Sequence, residues 1–221
     1  TALPFFFGRK QVVEELKRKL ERQPFVSLIG ASGSGKSSVV LAGLISRLEE
    51  AGWQVLEPIK PGFKPLARLE EVLRKKRFSE EEQLLDKCIH DESSEGLKPL
   101  LERFTRGQHL LVVDQFEEFF TVDHAEERDR FIQLITQVAD FPNSPLAVVT
   151  TMRADFLEPC LGYEPLRQLI EDEAKYLPTL AGKNLIDAIC EPAKRQGYKV
   201  TDELLYQIRD DIKQEPGSLP L

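Results

Sequence analysis

The sequence predicts an α/β protein in which a mostly parallel sheet lies between two layers of helices, followed by a small helical subdomain. Three observations lead to this fold class. Short apolar runs alternate along the chain with segments of helical spacing, a glycine-rich segment joins the first run directly to a helix, and helical patterns alone follow residue 180. Alternating strands and helices form parallel sheets that are covered by helices on both faces.

The predicted strands are short apolar runs bounded by residues that favour turns. Pro24 and Gly30 enclose the run at 25–29, which is too short and too apolar for a surface helix. Further strands are expected at 53–59, 109–114 and 145–152, and the last of these is rich in β-branched residues. Four buried strands of this kind are sufficient to predict the sheet.

The predicted helices have apolar residues three or four positions apart. They are expected at 37–52, 64–77, 96–106, 125–140, 182–197 and 201–217. We therefore divide the chain into an N-terminal segment with a first helix (1–24), a core (25–180) and a helical lid subdomain (181–221).

Composition limits the classes of function. The chain has 30 basic and 37 acidic residues, and its net charge of -7 argues against broad attraction to nucleic acid. Three well-separated cysteines suggest neither a disulfide framework nor a zinc site, so we expect a cytoplasmic protein with reduced thiols. The apolar runs are shorter than the roughly 20 residues that span a bilayer.

The glycine-rich segment fits the phosphate-binding pattern GxxxxGK[ST]. Its residues are Gly30, Ala31, Ser32, Gly33, Ser34, Gly35, Lys36 and Ser37, and Ser38 follows as a further candidate for nucleotide binding. Glycines allow the backbone to wrap closely around phosphates, and the start of the next helix adds partial positive charge. Lys36 is expected to contact the β and γ phosphates, and Ser37 to hold Mg²⁺. The sequence thus predicts a P-loop NTPase core.

A P-loop enzyme also needs acids at the end of a neighbouring strand. Asp114 follows four apolar residues and is the predicted second metal ligand, the Walker B aspartate. Glu117 is our first candidate for the carboxylate that orients the attacking water, and Glu118 is the alternative. A solvated acidic turn would explain one glutamate, but it would not explain an apolar strand that ends in an acid.

Arg153 ends the strand at 145–152 and would lie at the edge of the sheet where ligands bind. The position alone leaves two alternatives open: Arg153 senses the γ-phosphate, or it forms a local ion pair with Asp155. The Asn-Lys-x-Asp motif of guanine-binding proteins is not matched near Asn184, so we expect adenine rather than guanine as the base.

The combination of these motifs resembles the STAND class of P-loop ATPases, which includes the NB-ARC and NACHT proteins. The stretches FFFGRK, GASGSGKSS, LLVVDQFEEFF, TTMRADF and GSLPL carry the resemblance, which is greatest to the bacterial group often fused to WD40 or other repeats. It implies that Gly8 and Arg9 lie near the adenine, with Phe7 as an apolar neighbour. It also favours Asp114 and Glu117 as the two Walker B acids and Arg153 as the sensor.

The resemblance implies a lid proline that touches the base, and Pro220 is the candidate. Here GSLP has one residue more than the Gly-x-Pro of the family. Relatives continue into a winged helix and a repeat or effector region, so we expect a piece of a longer protein. The expected function is a slow ATPase switch that binds ATP or ADP with Mg²⁺ and self-associates in the ATP state. A nucleotide-binding scaffold without useful hydrolysis and an AAA-type DNA-associated ATPase remain alternatives.

Overall fold

The computed structural model describes residues 7–75, 82–91, 95–103, 107–121 and 125–214. Pro220, the predicted base contact in the lid, lies outside these residues, as do the ends of three predicted helices. The described residues cover both strands that flank the phosphate loop and all of the other predicted site residues.

The centre of the fold is a five-stranded sheet with the order β2-β3-β4-β1-β5, in which every neighbouring pair is parallel. The strands are β1 Phe25–Gly30, β2 Gln54–Val55, β3 His109–Val113, β4 Leu146–Arg153 and β5 Lys175–Leu177. All carboxyl ends therefore lie at one edge. The strand that leads to the phosphate loop is separated from the strand that leads to Asp114 by β4.

The helices are α1 Lys10–Leu20, α2 Lys36–Ser38, α3 Ile45–Glu50, α4 Pro65–Lys75, α5 Glu82–His90, α6 Lys98–Leu101, α7 Ala125–Asp140, α8 Leu157–Leu161, α9 Glu164–Glu173, α10 Gly182–Arg195 and α11 Asp202–Gln214. A π-helical turn, Val39–Leu44, joins α2 and α3 into one continuous helix after the phosphate loop. Two 3₁₀ turns, Phe116–Thr121 and Ala154–Phe156, follow β3 and β4 at the carboxyl edge.

Two hydrophobic clusters fill the space between the sheet and its helices. On β1, Phe25 and Ile29 belong to one cluster, while Val26 and Leu28 belong to the other, because successive side chains point to opposite faces of a strand. The first cluster includes residues of α4, α5, α6, α7 and α9, and the second includes residues of α1 and of the helix after the phosphate loop. The predicted three-layer α/β/α architecture is confirmed.

The two C-terminal helices pack less tightly than the core. Leu185 is the buried residue of α10, and none of the described side chains of α11 is buried. Tyr198, Leu204 and Tyr206 are exposed. This loose packing is compatible with a separate lid, but the boundary at residue 181 stays a prediction. No described helix has the length and apolar character to cross a membrane.

Candidate functional site

The phosphate loop connects the end of β1 to the start of α2 at the carboxyl edge of the sheet. Gly33 and Gly35 have φ angles of 68° and 87°, a left-handed conformation that disfavours other residues. Gly30 pairs in register with Arg153 of β4 and with Leu177 of β5. The loop therefore lies between these two strand ends, with the start of a helix behind it.

Ser34 packs over the first glycine of the loop. A Cβ atom on Gly30 would lie 2.9 Å from Ser34 Oγ and 3.1 Å from the Leu177 carbonyl oxygen, so a larger residue would force Ser34 or β5 to shift. Ser34 Oγ is buried and has no hydrogen-bond partner among the described residues. A buried hydroxyl without a partner is costly, and an oxygen-rich ligand would satisfy it. The donors of the loop thus fit a bound phosphate group.

Lys36 lies at the first position of α2, and its side chain turns back over the loop. Its ammonium group donates to the carbonyl oxygens of Gly30, at 3.1 Å, and Ala31, at 2.8 Å. Burial lowers the pKa of Lys36, while the nearby carboxylate of Glu117 acts in the opposite direction. The amine is thus held at the loop by neutral carbonyls, at the place where the pattern predicts the phosphates.

Asp114 lies directly after β3, and its carboxylate bonds both Ser37, at the end of the phosphate loop, and Thr151, in the central strand β4. Its Oδ1 accepts a hydrogen bond of 2.7 Å from the Ser37 hydroxyl and one of 2.6 Å from the Thr151 hydroxyl. Among the described residues, both hydrogen bonds to this buried carboxylate fall on Oδ1. The predicted metal ligands Ser37 and Asp114 are therefore in contact, and their oxygen donors suit Mg²⁺.

Glu117 lies in the 3₁₀ turn after Asp114 and is only 9% exposed. Its Oε2 accepts a hydrogen bond of 3.3 Å from the backbone N–H of Arg153, and its charge acts on Lys36. The backbone of Glu118, by contrast, donates to the Gln115 carbonyl oxygen, and its side chain is half-buried. Glu117 is thus a buried carboxylate beside the phosphate loop, and the choice of Glu117 over Glu118 as the water-orienting acid stays a prediction.

Arg153 ends β4 between the phosphate loop and Asp114, but its side chain forms the local ion pair with Asp155. Nε donates to Oδ1 at 3.0 Å and Nη2 to Oδ2 at 2.5 Å, while the guanidinium lies 5.3 Å from the Phe156 ring centre. This pairing raises the pKa of Arg153 and lowers that of Asp155. The Arg153 side chain is 41% exposed. The sensor role stays a prediction, because it requires Arg153 to leave Asp155.

The N-terminal segment contacts the phosphate loop through Arg9. The guanidinium donates to the Ser34 carbonyl oxygen at 3.1 Å, and burial lowers the pKa of Arg9. Gly8 has a φ angle of 78° and lies against the backbone of Asn184 in α10. The Phe7 ring lies 4.7 Å from the Arg195 guanidinium. These residues connect the phosphate loop, the N-terminal segment and α10.

A cavity of about 720 Å³ lies between the N-terminal segment and α10. Phe7, Gly8 and Arg9 line one side, and Asn184 and Asp187 line the other. Its volume is within the range of about 300–1,000 Å³ that is usual for small-molecule sites. Arg9 both lines this cavity and bonds the phosphate loop, so the cavity is adjacent to the loop.

Sequence reasoning missed Thr151, which contacts the predicted metal ligand Asp114. A threonine in a β-branched strand fits a buried sheet without any special role, so the residue carries no signal of its own. The contact follows from the strand order, which places β4 beside β3. The sequence pattern predicts the strands but not which of them are neighbours.

Solved structures with a similar fold support the description of the core. The Walker-type ATPase of Pyrococcus abyssi has a TM-score of 0.57 at 12% identity, over 96% of this chain and 64% of that chain. Cdc6p from Pyrobaculum aerophilum has a TM-score of 0.60 at 16% identity, over 91% of this chain and 54% of the other. The Aeropyrum pernix ORC2 protein in its ADP form has a TM-score of 0.56 at 13% identity, over 99% and 61%.

At these identities the likeness shows the fold alone, and the chain spans 54–64% of the lengths of these three proteins. No curated protein matches the chain by sequence. The profile of the family described as novel STAND NTPase 1, nSTAND1, matches residues 2–221 and confirms the resemblance to STAND proteins. With a match over almost the whole sequence, the chain belongs to the nSTAND1 family of P-loop NTPases.

Proposed function

We propose that this chain is the ATP-binding and slowly hydrolysing switch module of a larger cytoplasmic signalling protein. The observation that carries the proposal is the contact of Ser37 with Asp114 at 2.7 Å, beside Lys36 and Glu117 at one edge of the sheet. A phosphate-binding amine, two oxygen donors for a metal and a buried carboxylate are the groups that phosphoryl transfer requires.

Each of these groups has a distinct part in the proposed reaction. Lys36 moves from the loop carbonyls to the β and γ phosphates, and Ser37 and Asp114 hold Mg²⁺. When bound, this ion neutralises charge on the phosphate oxygens. Glu117 orients a water molecule for attack on the γ-phosphate. The remaining loop residues, 30–35 and Ser38, surround the phosphates with backbone and hydroxyl groups.

The base is proposed to be adenine, held beside the N-terminal segment. The cavity between Phe7, Gly8 and α10 adjoins the phosphate loop through Arg9, as the STAND resemblance requires of the base site. The Aeropyrum pernix ORC2 structures, which share the fold, are in ADP and ADPNP-ADP forms. Pro220 completes this site in the proposal.

The switch is proposed to depend on the lid and on Arg153. A γ-phosphate attracts the Arg153 guanidinium away from Asp155, whereas ADP leaves the ion pair in place. The lid helix α10 contacts the N-terminal segment at Gly8, so a change in the nucleotide alters the angle between the lid and the core. In this proposal the ATP state then self-associates.

A nucleotide-binding scaffold without useful hydrolysis is the second candidate. The observation that favours it is the pairing of Arg153 with Asp155, because a sensor held there does not act on the γ-phosphate. The two candidates differ in phosphate release but not in nucleotide binding. An AAA-type DNA-associated ATPase was the third candidate. The similarity to Cdc6p and ORC2 is one of fold alone, and the described residues provide no other observation that favours this role.

The test compares the purified wild type with Lys36→Ala, Glu117→Gln and Glu118→Gln. We expect the wild type to bind ATP and ADP more tightly than GTP and to release phosphate slowly with Mg²⁺. Lys36→Ala loses binding. Glu117→Gln retains ATP binding, but its rate of phosphate release falls by about 100-fold or more, because the variant lacks the general base.

Glu118→Gln is the matched control, because it removes an equal charge from the next residue. Equal loss of phosphate release in both glutamine variants would overturn the assignment of Glu117. ATP binding without turnover in the wild type, under all conditions, would support the scaffold. Absence of nucleotide binding would overturn both candidates.

A further inference from the structure

Thr151 is fully buried near the end of β4, on the strand that separates β1 from β3. In the sheet register it lies opposite Leu28 of β1, and its neighbour Thr150 lies opposite Val113, the residue before Asp114. This placement brings the Thr151 hydroxyl to the carboxylate of Asp114 from the central strand of the sheet.

The Thr151 hydroxyl takes part in two hydrogen bonds that fix the direction of its proton. Its Oγ1 accepts the backbone N–H of Gln115 at 3.0 Å and donates to Asp114 Oδ1 at 2.6 Å. Because the N–H of Gln115 is a donor only, the hydroxyl proton must point at the carboxylate. Threonine is also restricted at χ1, so the oxygen has little freedom to move.

The same contacts stabilise the turn that carries Asp114. Gln115 has a φ angle of 55°, in the left-handed region that non-glycine residues rarely adopt. The hydrogen bond from its N–H to Thr151 holds this turn immediately after the aspartate. Thr151 thus fixes both the backbone that follows Asp114 and one oxygen of its side chain.

We propose that Thr151 is a positioning residue that holds the Asp114 carboxylate in the orientation needed to support Mg²⁺. The inference rests on the proposed function, since it concerns the metal of that site. Ser37 also bonds Oδ1, but it is itself a proposed metal ligand. Thr151 contacts the same oxygen from β4, the strand between β3 and β1, and its own oxygen is already shared between two protein groups.

The test variant is Thr151→Val, which keeps the branched shape and removes the hydroxyl. Thr151→Ser keeps the hydroxyl and should restore the wild-type behaviour. Thr150→Val is a matched control, because Thr150 is the adjacent buried residue of β4 and its hydroxyl bonds Ser27, at 2.8 Å, instead of Asp114. Thr150→Val loses one buried hydrogen bond and Thr151→Val loses two, so both valine variants are destabilised, and melting temperatures measure how much more Thr151→Val loses.

The measurement is the affinity for ATP and ADP as a function of Mg²⁺ concentration, by isothermal titration calorimetry, with EDTA as the metal-free reference. Mg²⁺ should increase the nucleotide affinity, and we expect the Mg²⁺ concentration that gives half of this increase to rise roughly 10- to 100-fold in Thr151→Val. Loss of other residues that orient metal ligands has effects of this size. The metal-free affinity should be that of the wild type. Thr150→Val and Thr151→Ser should stay within about threefold of the wild type, because neither loses a bond to Asp114.

A second comparison tests whether the effect passes through Asp114. In an Asp114→Asn background, Thr151→Val should add little to the loss of Mg²⁺ dependence, because residues that act through one another are not additive. If Thr151→Val does not fold, Thr151→Ala is measured in its place, and melting temperatures are compared for all variants.

An unchanged Mg²⁺ dependence in Thr151→Val would overturn the inference, and so would an equal loss in Thr150→Val. An effect of the same size with and without Asp114 would also overturn it. A wild type that binds nucleotide with no influence of Mg²⁺ would instead contradict the proposed function, so the two failures are distinguishable.

Discussion

Replacing Gly8 with alanine should weaken the packing of the N-terminal segment against α10. Gly8 has a φ angle of 78°, and its Cβ position lies 2.4 Å from the Asn184 carbonyl oxygen and 3.3 Å from Ala188 Cβ. The left-handed backbone costs an L-residue roughly 1–2 kcal/mol. The carbonyl, which belongs to the backbone of α10, must also retreat by about 1 Å to reach ordinary contact.

Gly197→Ala is a matched control for the free-energy cost of the left-handed backbone. Its φ angle is 82°, almost that of Gly8, and its Cβ position has nothing within 4 Å. Gly197→Ala should therefore lower the free energy of unfolding by roughly 1–2 kcal/mol, from backbone strain alone. Overpacking of this kind typically adds about 1–3 kcal/mol, so Gly8→Ala should cost roughly 2–5 kcal/mol.

The assay is urea denaturation of both variants and the wild type, followed by circular dichroism, with nucleotide affinity measured in parallel. We expect Gly8→Ala to be less stable than Gly197→Ala and to bind ATP more weakly, because the displaced α10 lines the cavity. Equal stability of the two variants, within about 0.5 kcal/mol, would refute the packing of Gly8 against α10.

Two further predictions follow from buried groups. Burial, with a smaller contribution from Glu117, raises the pKa of the Cys160 thiol to about 12, and burial also raises the pKa of Cys88. Because thiolate is the reactive form, iodoacetamide at pH 8 should modify the half-buried Cys190 in the folded protein, and all three cysteines only after denaturation. The labelled residues are identified by mass spectrometry, and labelling of Cys160 in the folded protein would contradict this prediction. Arg9→Ala removes the hydrogen bond to the Ser34 carbonyl and should weaken ATP binding roughly 10-fold by calorimetry, and an unchanged affinity would exclude a role of Arg9 at the loop.

The sequence was sufficient to predict the core strands and the helix after the phosphate loop, because their apolar periodicity is strong. The strand expected at 53–59 is shorter: β2 ends at Val55, and contact with β3 resumes at a single bridge between Ile59 and Val113. Pro58 has no N–H to donate, which interrupts the ladder. The helix expected at 96–106 is limited to Lys98–Leu101 among the described residues.

Other elements were not predicted because they are short or carry a weak pattern. The strand β5 has three residues and is recognisable only from its pairing with β1. Helices α5, α8 and α9 fall where no prediction was made. Each of them has apolar residues buried in the core, but the segments are only 5–10 residues long, too short for a clear helical periodicity.

At the site, sequence motifs predicted the groups that lie along one loop or one strand end. The phosphate loop, Asp114 and Glu117 are such groups, and the structure brings them together. Thr151 could not be predicted, since its contact depends on the neighbour relations of the strands. The pairing of Arg153 with Asp155 was one of two alternatives, and its energy is small enough for a ligand to reverse because both side chains are exposed.

The central claim is that the loop around Lys36 binds ATP with the help of a metal held at Ser37 and Asp114. The most direct test is the ATP affinity of the wild type and of Lys36→Ala, each measured with Mg²⁺ and with EDTA. The account predicts tight binding by the wild type that weakens in EDTA, and no measurable binding by Lys36→Ala. Equal affinity of the two proteins, in either condition, would contradict it.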